Sequence, residues 1–106
     1  MSDRFPKSFS PLKLGSYTLK NRIAMAPLTR QASEDDGTPT DEMAAYYGRR
    51  ARGGLAMVIT EGTYTKDELG SVAYLNQPGC GTQQHVAGWK KSVKAIQDND
   101  AVAILQ

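Results

Sequence analysis

The residues with chemistry to offer sit at three places that share a pattern: each follows a short apolar run. Pro27-Leu28-Thr29-Arg30 closes the run that starts at Ile23, Glu61-Gly62-Thr63 follows Leu55–Thr60, and Gln106 follows Ala101–Leu105. The Thr29 hydroxyl can donate or accept a hydrogen bond, and the Gln106 amide does both at once. Gly62 lets another group approach the backbone with no side chain in the way. Glu61 could exchange a proton, or simply pair with a neighbouring cation. By type alone, Thr29 also suits capping a turn, Gly62 an ordinary loop and Gln106 a polar chain end.

The remaining candidates read as structural. His85 is the only histidine. It falls in the first turn of a predicted helix, far from any strand end, and reads as a surface or helix-start residue. Tyr46 and Tyr47 fall on an outer helix and read as packing residues, and Trp89 as core between helix and sheet. Cys80 is the only cysteine. It has no internal disulfide partner and no nucleophile signature.

Those positions need strands and helices to hold them. Residues 1–10 read as a polar lead-in. Leu12, Leu14, Tyr17 and Leu19 alternate around Gly15-Ser16, which predicts a hairpin too small to stand alone. Ile23–Leu28, Leu55–Thr60 and Ala101–Gln106 are nearly continuous apolar runs, as expected of strands buried on both faces in a parallel sheet. Pro27 has no N–H, so regular pairing should stop there. Between the first two strands, Thr38 is expected to cap a helix with Pro39 in its first position, running to about Ala51 and ending at Gly53-Gly54. Met43, Tyr46, Tyr47 and Arg50 share one of its faces. A second helix is expected over about residues 83–97, capped by Thr82, with Val86, Trp89, Val93 and Ile96 as its core stripe. The long stretch 64–81 reads as a loop with a turn at Pro78-Gly79, and loops of that length are often functional. The order is a hairpin, then β-α-β-α-β, which implies an α/β parallel sheet with helices outside.

Composition narrows the function classes. Forty per cent of the residues are hydrophobic and 23% charged, with a formal net charge of +2. No apolar run is long enough to span a bilayer, and the N-terminus has no secretory pattern. Lys and Arg are interspersed with acids, so no nucleic-acid face stands out. The single cysteine fits a reducing, cytoplasmic setting.

The β-α alternation fits a doubly wound sheet or a slice of a β/α barrel. Pro27-Leu28-Thr29-Arg30 stands where a dinucleotide fingerprint would need glycines. The stretch from Leu14 to Arg30 (LGSYTLKNRIAMAPLTR) resembles the opening of Old Yellow Enzyme-type flavoproteins. So do Thr60-Glu61-Gly62, Gln77-Pro78-Gly79, Gly88-Trp89-Lys90 and the strand ending in Gln106, in the family's order and spacing from about residue 11 onward.

The resemblance implies the N-terminal part of a (β/α)8 TIM barrel, a single FMN-binding domain of which residues 11–106 supply a hairpin and about two and a half β/α units. It implies an NAD(P)H-dependent ene-reductase, with NADPH or NADH as hydride donor and an activated alkene such as an enone as acceptor. Active sites of this fold gather at the C-terminal ends of the strands. Pro27, Leu28, Thr29, Gly62 and Gln106 are the cofactor-binding positions it implies. Thr29 would tune the flavin by donating to its C4 carbonyl, and Gln106 would face the N3–H and C2 carbonyl edge. No catalytic residue of the family and no metal ligand falls in this stretch, because the substrate-anchoring pair and the proton-donating Tyr belong to later strands. The chain departs from many members after Arg30, where Gln31-Ala32-Ser33 leads into an acidic loop.

A barrel of this type needs about 250 residues, so the remaining strands are expected on a second chain. The 106 residues alone are expected neither to hold FMN tightly nor to reduce alkenes. Two alternatives stand beside this reading. One is a non-catalytic half-barrel assembling through open strand edges. The other is a fragment of a flavin/iron–sulfur enzyme of the dienoyl-CoA reductase branch.

Overall fold

The computed structural model describes residues 3–65, 70 and 72–106. Leu12–Leu14 (β1) and Tyr17–Leu19 (β2) form an antiparallel hairpin with Leu12 opposite Leu19. Gly15 enters its two-residue turn at φ +60°, a conformation glycine adopts without a Cβ clash. Ala24–Met25 (β3), Met57–Ile59 (β4) and Val102–Ile104 (β5) form a parallel sheet in the order β3-β4-β5. Asp41–Arg52 (α1) and Gln83–Gln97 (α2) make the two crossovers. The β-α alternation read in the sequence is thus present, as is the parallel sheet.

The strands are shorter than the apolar runs, and β3 ends two residues before Pro27. Burial on both faces does not hold within this chain. Met25, Val58 and Ala103 stand in register on the face that meets the helices, within a core of Met43, Tyr47, Ala51, Trp89, Ile96 and Ala101. The opposite face, with Ala24, Met57, Ile59, Val102 and Ile104, is only partly covered or exposed. The physical reason is that two helices cover one side of a sheet. The other side of a barrel sheet is covered by the facing strands, whose side chains fill the interior.

The hairpin lies across the N-terminal ends of the strands. Leu19 is buried, and Lys20 Nζ donates to the Asn99 carbonyl (3.3 Å). Asn21 is also buried. Its Nδ2 donates to the Gly54 carbonyl (2.7 Å) and its Oδ1 accepts from the Ile23 N–H (2.9 Å). Ahead of the hairpin, Arg22 ties the chain down at Ser8 and Ser10. Its N–H donates to the Ser8 carbonyl and its Nε to Ser10 Oγ. One end of the sheet is therefore closed, and the C-terminal end is left for a ligand.

Both helices form where expected, with two corrections. Thr40, not Thr38, caps α1. Its Oγ1 accepts from the Met43 N–H (3.3 Å) and donates to the Ala32 carbonyl (2.9 Å). Thr38 is engaged one turn earlier, where its N–H donates to Asp36 Oδ1 (2.9 Å) and its carbonyl accepts from Glu34. At the other end the Gly53 N–H donates to the Arg49 carbonyl (3.0 Å) and the Gly54 N–H to the Ala51 carbonyl (3.0 Å), and Gly54 leaves the helix at φ +114°.

The second correction concerns the buried face of α2. Trp89 and Ile96 are core, but Val86 is 39% exposed and Val93 half-buried, while His85, Gly88 and Ser92 are buried. Small residues set this rotation. A Cβ at Gly88 would come within 2.6 Å of the Pro39 carbonyl oxygen, and one at Gly48 within 3.1 Å of Ala95 Cβ. Backbone contact at these points takes precedence over burial of the two valines. Among the described residues no helix is long and apolar enough to cross a membrane.

Candidate functional site

Gly62 follows β4 and Gln106 follows β5 at the C-terminal edge of the sheet, and Pro27, Leu28 and Thr29 follow β3. Gly62 and Gln106 are adjacent. A Cβ placed on Gly62 would meet only Gln106 Oε1, at 3.3 Å. Two bonds across the neighbouring strand ends hold the pair, since the Thr63 N–H (3.0 Å) and Thr63 Oγ1 (2.8 Å) both donate to the Gln106 carbonyl. The Gln106 N–H in turn donates to Thr60 Oγ1 (3.3 Å). Thr29 and Leu28 lie exposed beyond β3, Leu28 to 52%, with Pro27 half-buried. This edge therefore offers a hydroxyl, a primary amide, an uncrowded glycine and an uncovered apolar side chain. A donor set of this kind beside an exposed apolar side chain suits a planar heteroaromatic with polar edges.

Beneath Gly62 lies an arrangement the sequence did not reveal. Glu61 is completely buried. The Tyr47 hydroxyl of α1 donates to Glu61 Oε2 in a short hydrogen bond and accepts from the Glu61 N–H (3.1 Å). Glu61 Oε1 is buried with no hydrogen-bond partner among the described residues. Burial pushes the Glu61 carboxyl up from its ordinary 4.5, against the opposing pull of Tyr47 and Arg30. Burial, followed by the bond to Glu61, also pushes the Tyr47 hydroxyl up, so Tyr47 keeps its proton and acts as donor. The cation sought for Glu61 is not an ion-pair partner. Arg30 instead lies over the Tyr46 ring (4.2 Å to its centre), with Arg50 also over that ring (4.1 Å). Tyr46 meets Tyr47 edge-on at 5.5 Å. The two tyrosines pack, as expected, and Tyr47 also carries this polar link.

The segment after Gly62 is tied back under the sheet end. Gln77 is buried. Its Nε2 donates to the Gly62 carbonyl (3.2 Å) and its Oε1 accepts from the Ala73 N–H (2.8 Å). Pro78 and Gly79, expected as a turn, are buried, and Tyr64 bridges to Gly79. Residues 66–69 and 71 of the expected long loop lie outside the described residues.

His85 corrects the surface reading, being only 2% exposed. Its Nδ1 accepts from the Gly81 N–H (3.2 Å), which leaves the proton on Nε2 to donate to the Asp36 carbonyl (2.8 Å). The ring packs so closely on Gly79 that a Cβ there would lie 2.4 Å from it. Trp89 Nε1 donates to the Gly79 carbonyl (2.9 Å). This histidine is a structural knot between two loops and a helix. Cys80 is a half-buried free thiol. Among the described residues no three or more His, Cys, Asp or Glu gather as a metal site.

Known proteins resemble this chain in sequence and fold. The enoate reductase 1 of Kluyveromyces lactis is 36% identical over 100 residues, covering 92% of this chain and 25% of the relative. Among solved structures, the old yellow enzyme from Trypanosoma cruzi superposes with a TM-score of 0.84 at 35% identity, over 97% of this chain and 27% of that one. Morphinone reductase in complex with tetrahydroNAD gives 0.82 at 37% identity, over 95% and 26%. The chain spans about a quarter of the length of the relatives it matches. Its fold is accordingly that of part of the TIM barrel these enzymes share. The family model described as NADH:flavin oxidoreductase / NADH oxidase matches residues 7–106, and the chain belongs to that family.

Proposed function

We propose that this chain forms the N-terminal part of one FMN-binding barrel domain, residues 11–106 with 1–10 as lead-in, in an NAD(P)H-dependent ene-reductase. The observation that supports the reading is the adjacency of Gly62 and Gln106 at the C-terminal edge of a parallel sheet, with exposed Leu28 and Thr29 following the neighbouring strand, in a chain of this family. When bound, FMN supplies the hydride relay between a reduced nicotinamide and the activated C=C bond of an enone or related alkene.

This chain's residues bind and tune. Pro27 and Leu28 give the ring an apolar bed. The Thr29 hydroxyl donates to the flavin C4 carbonyl and stabilises charge on the reduced ring. Gly62 admits the ring edge against the backbone, and the Gln106 amide serves the N3–H and C2 carbonyl edge. Each neutral hydrogen bond of this kind is worth about 1 kcal/mol. The substrate-anchoring and proton-donating groups come from the rest of the barrel, carried on a second chain.

Native mass spectrometry of the purified protein with its visible absorption spectrum tests this. A flavin-yellow complex of this chain with a larger polypeptide and one FMN, reducing 2-cyclohexenone with NADPH, is the expected result. A colourless protein with no bound flavin overturns it and favours the second reading, a non-catalytic half-barrel. That reading draws on the exposed Ile23, Ile104 and Leu105 beside unpaired strand edges.

A further inference from the structure

Along the end of β4 the backbone N–H groups are engaged in turn. Thr60 donates to the Ile104 carbonyl (2.9 Å), Glu61 to the Tyr47 hydroxyl (3.1 Å), Thr63 to the Gln106 carbonyl (3.0 Å) and Tyr64 to the Pro78 carbonyl (3.3 Å). The Gly62 N–H alone in this run has no partner among the described residues. The carbonyls on either side of it are nevertheless fixed. The Glu61 carbonyl accepts from Thr60 Oγ1 (3.2 Å) and the Gly62 carbonyl from Gln77 Nε2 (3.2 Å). The peptide that carries this one idle donor is thus held on both sides, beside Gln106.

We propose that Tyr47 and Gln77 are positioning residues that hold the Gly62 peptide so that its N–H is presented to the flavin. Neither residue reaches the open edge. Tyr47 is 1% exposed and packs in the helix-facing core, and Gln77 is 8% exposed. Each acts through the backbone instead. Tyr47 uses its hydroxyl twice on one residue, donating to the Glu61 side chain and accepting from the Glu61 amide. It thereby fixes both the backbone and the side chain of the residue just before Gly62. Gln77 is fixed at its other end by the Ala73 N–H, so its amide cannot turn away from Gly62. A donor preset in this way needs no reorganisation when charge develops on the group it faces, and that is the condition under which a hydrogen bond contributes most to a site.

The inference rests on the flavin reading above, and the experiment separates the two. In the complete flavin-loaded protein, Tyr47→Phe removes one hydroxyl and Gln77→Leu one amide, with similar side-chain volumes. FMN dissociation constant, flavin midpoint potential and melting temperature are measured for each, with Ile96→Val as a control, since Ile96 is fully buried in the helix core away from this edge. The expected result is FMN binding weakened about tenfold and a lowered midpoint potential in both variants, a fold-change of the size that follows from about 1.4 kcal/mol. The control should lower the melting temperature and leave affinity and potential at parent values. If both variants bind FMN with parent affinity and potential, the positioning role is wrong while the flavin reading stands. If the parent protein takes up no FMN, both fall. Should Tyr47→Phe fail to fold, Gln77→Leu carries the same expectation and the same refutation.

Discussion

Thr29 is exposed and makes no hydrogen bond within the described chain, so Thr29→Ala should cost less than about 0.5 kcal/mol of stability. On the proposed reading, its effect falls on the flavin. Losing a donor worth about 1–3 kcal/mol to a charged carbonyl lowers a two-electron midpoint by about 20–60 mV, which spectroelectrochemistry of the variant would read. An unmoved potential would remove Thr29 from the site. Gly62 offers the converse case. Alanine there meets only the tip of the Gln106 side chain, so the fold should survive while FMN affinity falls at least tenfold, checked by fluorescence titration beside a melting curve.

Glu61 has its own signature. Burial raises its folded pKa above 4.5, so the folded state holds the proton more tightly than the unfolded chain. The stability this contributes is full below about pH 4.5 and is lost as pH rises through the folded value. Glu61→Gln lacks the titration. The melting temperature of the variant relative to the parent should therefore climb from pH 4 towards pH 8, and a flat difference would refute the raised pKa. Thr29, Gly62 and Gln106 stand out in the sequence because they follow apolar runs, and their role as flavin contacts is what the family resemblance implies. The Tyr47–Glu61 link was not legible, because nothing in a sequence says which hydroxyl of an outer helix reaches a strand end 14 residues away.

Element boundaries were legible where local chemistry was unambiguous. Thr82 and Asp98 bracket α2, and the observed Gln83–Gln97 matches the expectation. The start of α1 was displaced because Thr38 and Thr40 are both competent caps. What selects Thr40 is its second bond, to Ala32, and the prior engagement of Thr38 with Asp36. The core stripe of α2 was misread because an apolar pattern scores Val86 and Val93 above His85, Gly88 and Ser92. Close approach to Pro39 reverses that order.

This gives a sharp expectation for Gly88→Ala. Helix propensity favours alanine by about 1 kcal/mol, but the new methyl would lie 2.6 Å from a backbone oxygen and 2.7 Å from the Pro39 ring. Overpacking of that kind costs about 1–3 kcal/mol. Chemical denaturation should show net destabilisation, whereas a stabilised variant would mean that the helix–loop contact is looser than described. Thr40→Ala loses the cap and the Ala32 tie together, so its cost should sit near the upper part of the 0.5–2 kcal/mol range for such caps.

At the scale of the molecule the shape is that of an open slab. Its extents are 49 × 25 × 21 Å and its radius of gyration 14.9 Å, above the roughly 13 Å of a compact chain of this length. Among the described residues β3 and β5 each pair on one side only, and Ile23, Leu28, Ile104 and Leu105 are each between 36% and 52% exposed around those edges. Unpaired strands flanked by apolar side chains recruit other strands. These 106 residues expressed alone should therefore associate as concentration rises, without flavin colour, when followed by light scattering and visible absorption. Lysines at Ile23 and Leu105 should suppress that association by putting charge on both edges, while leaving the helix-facing core untouched. Supplying the remainder of the barrel should suppress it too, and should bring FMN with it, because closing the sheet covers both edges and completes the C-terminal mouth in one step. A monodisperse monomer of these residues that holds FMN tightly would show instead that the three strand ends suffice as a flavin site, and would remove the need for a second chain.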